Sequence, residues 1–203
     1  NAFYASASVC TPSRAGLQTG RLPVRSGMCS DRRRVLFPDS GGGLPDSEIT
    51  IARALKETGY STACIGKWHL GHLDQFLPTS HGYDYYYGIP YSNDMDRIEG
   101  TEHYEACINP RNEYFKIPLM ENEKVLTREV DQRLLTRNYT EKAVQFISEH
   151  KNGPFLLYLA HSMPHVPLFR SEAFQGVSKR GIYGDVIREI DWSAGQIRKA
   201  LED

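Results

Sequence analysis

Pro154-Phe155-Leu156-Leu157-Tyr158-Leu159-Ala160 is a continuous apolar run, and such a run predicts a buried central strand. The flanking patterns agree with that. Upstream, Thr140 is placed to cap a helix reaching His150, with Ala143, Val144 and Ile147 turned inward. Downstream, Val186, Ile190, Ala194, Ile197 and Leu201 recur at spacings of three and four, the mark of an amphipathic helix. Nearer the start, Asp46 or Ser47 is placed to cap a helix from Glu48 to Thr58, with Ile51, Ala52 and Leu55 on one face and Gly59 at its end. Ser61 to Ile65 then reads as a strand closed by Gly66. Helices alternating with buried strands imply an α/β sandwich on a mostly parallel central sheet. Gly82 to Tyr91 reads as loop and short irregular structure near a cleft, and 94–133 shows no clean period.

The chain has 203 residues, enough for one domain with a buried core. Its formal net charge of -1 gives no global field to recruit nucleic acid or an anionic membrane. The run Arg32-Arg33-Arg34 is short and reads as a solvated loop. No segment is long and apolar enough to span a bilayer, and the first residues do not read as a signal peptide. Both ends read as interruptions of a domain, so 1–203 is expected to be a partial catalytic domain. The four cysteines lack the spacing of metal ligands, and Asn138-Tyr139-Thr140 is a glycosylation sequon.

Three places carry chemistry. Cys10-Thr11-Pro12-Ser13-Arg14-Ala15-Gly16-Leu17-Gln18-Thr19-Gly20 reads as a short helix with Pro12 in its first turn and Gly20 as its stop. Cys10 therefore stands at a helix N-terminus, where the dipole and free N–H groups favour anions, and Arg14 lies one turn on. A buried structural cysteine is the plain alternative. The phosphate loop of cysteine phosphatases is excluded, because Cys-x5-Arg would need Arg where Gly16 stands. In Gly66-Lys67-Trp68-His69 a cation and an imidazole lie two apart, on one side of an extended stretch; an exposed Lys and a core His are the alternative. His161 and His165 follow the apolar run, where sites of open α/β sheets sit. A zinc site is the alternative there and lacks a third nearby ligand.

The stretch Cys10-Thr11-Pro12-Ser13-Arg14, with Leu17 and Thr19-Gly20-Arg21, resembles the sulfatase signature. Gly59-Tyr60-Ser61-Thr62-Ala63-Cys64-Ile65-Gly66-Lys67-Trp68-His69-Leu70-Gly71 resembles the second signature of that family. Gly88-Ile89-Pro90-Tyr91-Ser92-Asn93-Asp94 is similar to a sulfate-binding stretch of arylsulfatase A-like proteins, with Asn93 where some relatives have His. The likeness runs from Phe3 to Leu201 and points to the arylsulfatase A and N-acetylgalactosamine-6-sulfatase branch.

The resemblance implies an alkaline-phosphatase-like fold and hydrolysis of a sulfate monoester. Cys10 would be converted by a separate maturation enzyme to Cα-formylglycine, whose hydrate attacks sulfur and is also a calcium ligand. Arg14 and Lys67 would stabilise the charge that develops. Ser92, Lys67 and His165 would bind the sulfate, and His165 would protonate the leaving alcohol. His69 would take a proton from the second hydroxyl to expel sulfate. His161 would be a supporting or a structural residue. The other calcium ligands of the family have no counterpart in 1–203, so the isolated chain is expected to show little activity. A sulfated small molecule or glycan is the implied substrate, and the periplasm, the lysosome or the exterior the implied location. A phosphatase or phosphodiesterase of the same superfamily, and a binding protein that keeps the fold, are the alternatives.

Overall fold

The computed structural model describes residues 2, 4–32 and 34–203. Asn1, Phe3 and Arg33 therefore lie outside it, and with them parts of the terminal reading and of the basic run. Strand β1 (Ser61–Gly66) is the axis of a five-stranded sheet. It runs parallel to β2 (Tyr85–Gly88) on one side and to β5 (Phe155–Ala160) on the other. Residues β3 (Leu119–Glu121) and β4 (Lys124–Thr127) continue the sheet antiparallel beyond β2, in the order β4-β3-β2-β1-β5. The sheet is thus parallel at its site-bearing end and mixed as a whole.

Side chains alternate across β1, and the alternation builds two cores. Ile65 packs with Tyr87, Tyr139, Ala143 and Val186, beneath helices α4 (Leu135–His150) and α5 (Gly181–Glu202). Cys64 packs with Trp68, Tyr83 and Tyr86 on the opposite face, beneath α1 (Cys10–Thr19) and α2 (Ile51–Lys56). A short helix α3 (His103–Ile108) lies in the 94–133 segment.

Several expectations change. The apolar run forms a strand, but β5 is an edge strand, paired only with β1 among the described residues, and half-buried from Phe155 to Leu159. An apolar composition does not distinguish an edge from a centre. Within 82–91, Tyr85–Gly88 is a strand, and 94–133 contains the β3–β4 hairpin. Helix α2 starts at Ile51, since the Thr50 hydroxyl accepts from Arg53 N at 3.1 Å. Asp46 instead pairs with the Arg53 side chain at 2.6 Å, and Ile51 is exposed. Helix α4 begins at Leu135, so Thr140 lies inside it and donates to Thr136 O at 2.7 Å. The sequon is therefore helical, with Tyr139 and Thr140 buried. On α5 Val186 is buried and Ile190 and Ile197 pack against the core as expected, but Gly184, Asp185, Glu189 and Ser193 share that face, while Ala194 and Leu201 face solvent. Polar anchors hold that face: Asp185 accepts from Gly176 N and Ser178 N, both at 2.8 Å, and Glu189 from Ser171 N at 3.0 Å.

Among the described residues no helix is long and apolar enough to cross a membrane.

Candidate active site

The carboxyl ends of β1, β2 and β5 lie level, with Ile65 opposite both Tyr87 and Leu159. Two glycines make the close packing there possible. A Cβ on Gly66, whose φ is +115°, would stand 2.0 Å from Ala160 O, and one on Gly88 would stand 1.8 Å from Gly66 O. Neither position has room for a side chain. Past Gly66 the backbone crosses the sheet crest: Lys67 N donates to Ala160 O, Trp68 N to Ile89 O and His69 N to Pro90 O, at 2.8, 3.0 and 3.1 Å. The stretch is not extended throughout, because His69 has φ +61°. A non-glycine residue in that region carries strain that persists only where its surroundings hold it.

Lys67 is 2% exposed and donates its Nζ to Ser92 Oγ at 2.8 Å. Burial lowers its pKa to about 8, a shift partly offset by the charges of Cys10 and Asp94 and reinforced by Arg14. The ammonium is thus protonated at neutral pH and poorly hydrated, which makes it a strong partner for an anion. Ser92 Oγ in turn lies 3.3 Å from Nε2 of His165 and 3.4 Å from its Nδ1. The His165 Nδ1 also lies 2.5 Å from Val166 O, an acceptor, so the proton belongs on Nδ1 in the neutral ring. Burial and then Lys67 lower the His165 pKa, while Asp94 raises it.

His69 is fully buried, and its Nε2 faces Leu36 O at 2.8 Å. A carbonyl only accepts, so Nε2 carries the proton and Nδ1 keeps a lone pair. That Nδ1 has no partner. Burial, with Lys67 next, lowers the His69 pKa to about 3. The Thr11 hydroxyl fixes the same corner, donating to His69 O and accepting from Leu36 N, both at 3.1 Å.

Cys10 is the first residue of α1, and Gly20 closes the helix with φ +65°. It is half-buried, its thiol is free, and it borders an open cavity of about 390 Å³ with Ser13, Arg14 and Tyr158. Arg14 bonds Lys67 O, and Tyr158 Oη at 3.2 Å. The structure thus brings Cys10, Arg14, Lys67, His69, Ser92 and His165 into one neighbourhood. His161 is not part of it. Its Nε2 bonds Ser193 Oγ at 3.0 Å, a structural tie from the end of β5 to α5.

Sequence reasoning missed three contributors. Tyr158 is a hydroxyl hidden in the apolar run. Asp94 has a buried Oδ1 without a partner, and its charge acts on both Lys67 and His165. Asn93 is buried, and its Nδ2 donates to Gln132 Oε1 at 3.1 Å and Pro167 O at 3.0 Å, tying the Ser92 loop to the His165 loop. Their polarity inside closely packed stretches was the available signal. Among the described residues no three or more His, Cys, Asp or Glu side chains are grouped to hold a metal. Position 10 alone does not make a calcium site, so the residues present do not fit that ion by themselves.

The family model described as Sulfatase matches residues 1–203. Mouse arylsulfatase G is 38% identical over 98% of this chain and 40% of its own length. Human N-acetylgalactosamine-6-sulfatase is 38% identical over 99% of this chain and 39% of its own. The chain thus spans about 40% of the length of these curated relatives. Among solved structures, Ps i-CgsB in complex with k-i-k-neocarrahexaose matches with a TM-score of 0.75 and 26% identity, over 98% of this chain and 46% of that one.

Proposed function

This chain belongs to the sulfatase family, and from that premise we propose that the complete protein hydrolyses a sulfate monoester, with residue 10 as the nucleophile after conversion of Cys10 to formylglycine. The observation that carries this reading is the grouping of a buried cation, a hydroxyl and two histidines beside a half-buried cysteine at a helix start. A polar group at position 10 has room in the adjoining cavity and a cation within reach. The hydrated aldehyde would supply one hydroxyl to attack sulfur and a second whose deprotonation releases sulfate. A plain alcohol would offer no such internal release.

The chain's own residues then divide the work. Lys67, held on Ser92, faces the sulfate oxygens and stabilises the charge that grows on them. Arg14 braces Lys67 through its carbonyl and adds a second positive charge. His165, once protonated, gives a proton to the leaving oxygen, and Asp94 favours that protonated form. His69 offers the lone pair of Nδ1 as a base, its Nε2 anchored on Leu36 O. No step is routed through calcium, whose remaining ligands would come from outside this chain. On that ground the isolated 203 residues are expected to turn over little substrate.

The substrate class follows from likeness alone. Relatives with sulfatase names and one solved with a bound neocarrahexaose favour a sulfated sugar. We place the protein in the periplasm, the lysosome or the exterior, where such sugars are met. The test is mass spectrometry of the residue-10 peptide from a maturation-competent host, with aryl sulfate turnover by the complete protein. Formylglycine together with turnover that Cys10→Ala abolishes is expected. An unmodified thiol in active protein would overturn the assignment of the nucleophile.

A further inference from the structure

A second cavity, of about 530 Å³, lies behind the seat of His69. Its walls come mainly from the loop between α1 and α2, with Thr11 as the shared residue. That loop is the one whose Leu36 carbonyl holds His69, so the cavity adjoins the catalytic grouping and is not a remote surface feature. The volume falls in the range of small-ligand sites, roughly 300–1,000 Å³.

Its chemistry is specific. Arg32 and Arg34 both line it, both are exposed, and neither forms an ion pair with a described residue. Asp39 shares the wall but is itself partnered. Gly41 and Gly42 also line it, and a Cβ on either would meet nothing within 4 Å. The next residue differs, since a Cβ on Gly43 would strike Phe76 and Leu70 O. The cavity thus combines open backbone at two side-chainless residues with two guanidinium groups that have no ion-pair partner among the described residues. A guanidinium presents a planar fork of donors that matches the oxygens of a sulfate or carboxylate.

We propose that this cavity is a subsite for a second anionic group of the substrate, a sulfate or carboxylate on the sugar next to the one that bears the scissile ester. The proposal rests on the sulfatase reading and deepens it. Arg32 and Arg34 recognise charge at a distance from the reaction, and so select multiply charged glycans over simple monoesters. The run Arg32-Arg33-Arg34, which in sequence reads as solvated, supplies specificity through its first and third members.

The test uses the complete, matured protein and the double variant Arg32→Gln/Arg34→Gln. Three substrates are compared: 4-nitrophenyl sulfate, a monosulfated disaccharide, and the same disaccharide with a second sulfate. A monosulfated disaccharide bearing a uronate distinguishes carboxylate from sulfate recognition. For the doubly charged sugars, KM is expected to rise about tenfold or more with kcat held, as for a lost binding contact. Kinetics on 4-nitrophenyl sulfate are expected to stay within about twofold. An equal change on all substrates, or none on the doubly charged ones, overturns the subsite. Calorimetric binding of the disulfated disaccharide to wild type and variant reads the same contact without turnover. Weaker binding by the variant supports the subsite even if aryl sulfate is not hydrolysed, an outcome that strikes the sulfatase reading alone; equal binding overturns the subsite.

Discussion

His69 and His161 stand at the carboxyl ends of neighbouring strands and look alike one at a time. Each has one ring nitrogen bonded, Nε2 to Leu36 O or to Ser193 Oγ, and a buried Nδ1 with no partner. Burial lowers the pKa of both, to about 3 and about 4. Their surroundings differ. Lys67, Arg14 and His165 all act on His69, whereas burial alone accounts for His161. Around His69 the backbone is left-handed and a lysine has been stripped of water. Around His161 the neighbours are hydroxyls and rings, with Thr140 Oγ1 and Ser193 Oγ bonded at 2.6 Å and Tyr139 tilted against the imidazole. A depressed histidine pKa therefore does not identify a catalytic base. Convergent charges and local strain are what make His69 the candidate of the two, because such features cost stability and cluster at functional sites.

The sharpest way to break this comparison is to remove each ring. Asparagine tolerates the left-handed backbone that His69 adopts. For His69→Asn in the complete protein, kcat is expected to fall about 10²- to 10⁴-fold, the range for loss of a general base. Its melting temperature should also fall, because the buried ring and its bond to Leu36 O are lost, so kcat is the readout that separates the two residues. His161→Asn should keep kcat and lose stability. Steady-state turnover and thermal unfolding of both variants check this, and the reverse pattern would exchange the two roles.

A third histidine extends the comparison to the other face of the sheet. His81 is fully buried beside Trp68, and neither ring nitrogen has a partner. Burial, then the nearby Arg53, lowers its pKa to about 4 from 6.5. The folded state thus resists a proton that the unfolded chain accepts below about pH 6.5. Its contribution to stability is full above that pH and is lost as pH falls towards 4. The loss is up to about 1.4 kcal/mol for each pH unit in that window. His69 and His161 add to the same acid limb, by the same sign. His81→Leu is expected to flatten the fall in stability between about pH 6 and 4, with kcat untouched. Urea unfolding across that range measures it. An unchanged slope would mean that His81 takes up its proton in the folded state.

The grouping of the candidate site residues was legible in sequence for a physical reason. Sites on short fixed segments need particular residues at particular spacings, and the structure gathers Cys10, Arg14, Lys67, His69, Ser92 and His165, although His69 arrives through a left-handed backbone rather than the extended one its spacing implied. What failed was context. The Tyr85–Gly88 strand is three tyrosines and a glycine, so alternation had nothing to register. The β3–β4 hairpin turns at Asn122, which takes φ +51° without the following glycine that usually marks such turns. The β5 run gave its secondary structure but not its edge position, because strand pairing is a property of the whole sheet. On α5 the apolar spacing held at Val186, Ile190 and Ile197, but it gave no sign that Asp185 and Glu189 share the buried face, where their carboxylates accept from backbone N–H groups.

The smallest effect tests whether the α4–α5 side is structural alone. Thr140→Val keeps shape but removes the hydroxyl that donates to Thr136 O and accepts from Ser193 Oγ. Ser193 then keeps His161 as its partner, so no new buried group is orphaned. The expected cost is about 1 kcal/mol, the net worth of one buried hydrogen bond. It should appear as a lower urea midpoint with an unchanged slope. Because the chain Thr140–Ser193–His161 makes no contact with Ser92 or Lys67, kcat and KM should not move. A loss of turnover with stability intact would show that His161 reaches the reaction through β5, and the contrast between the two histidines would then be one of degree.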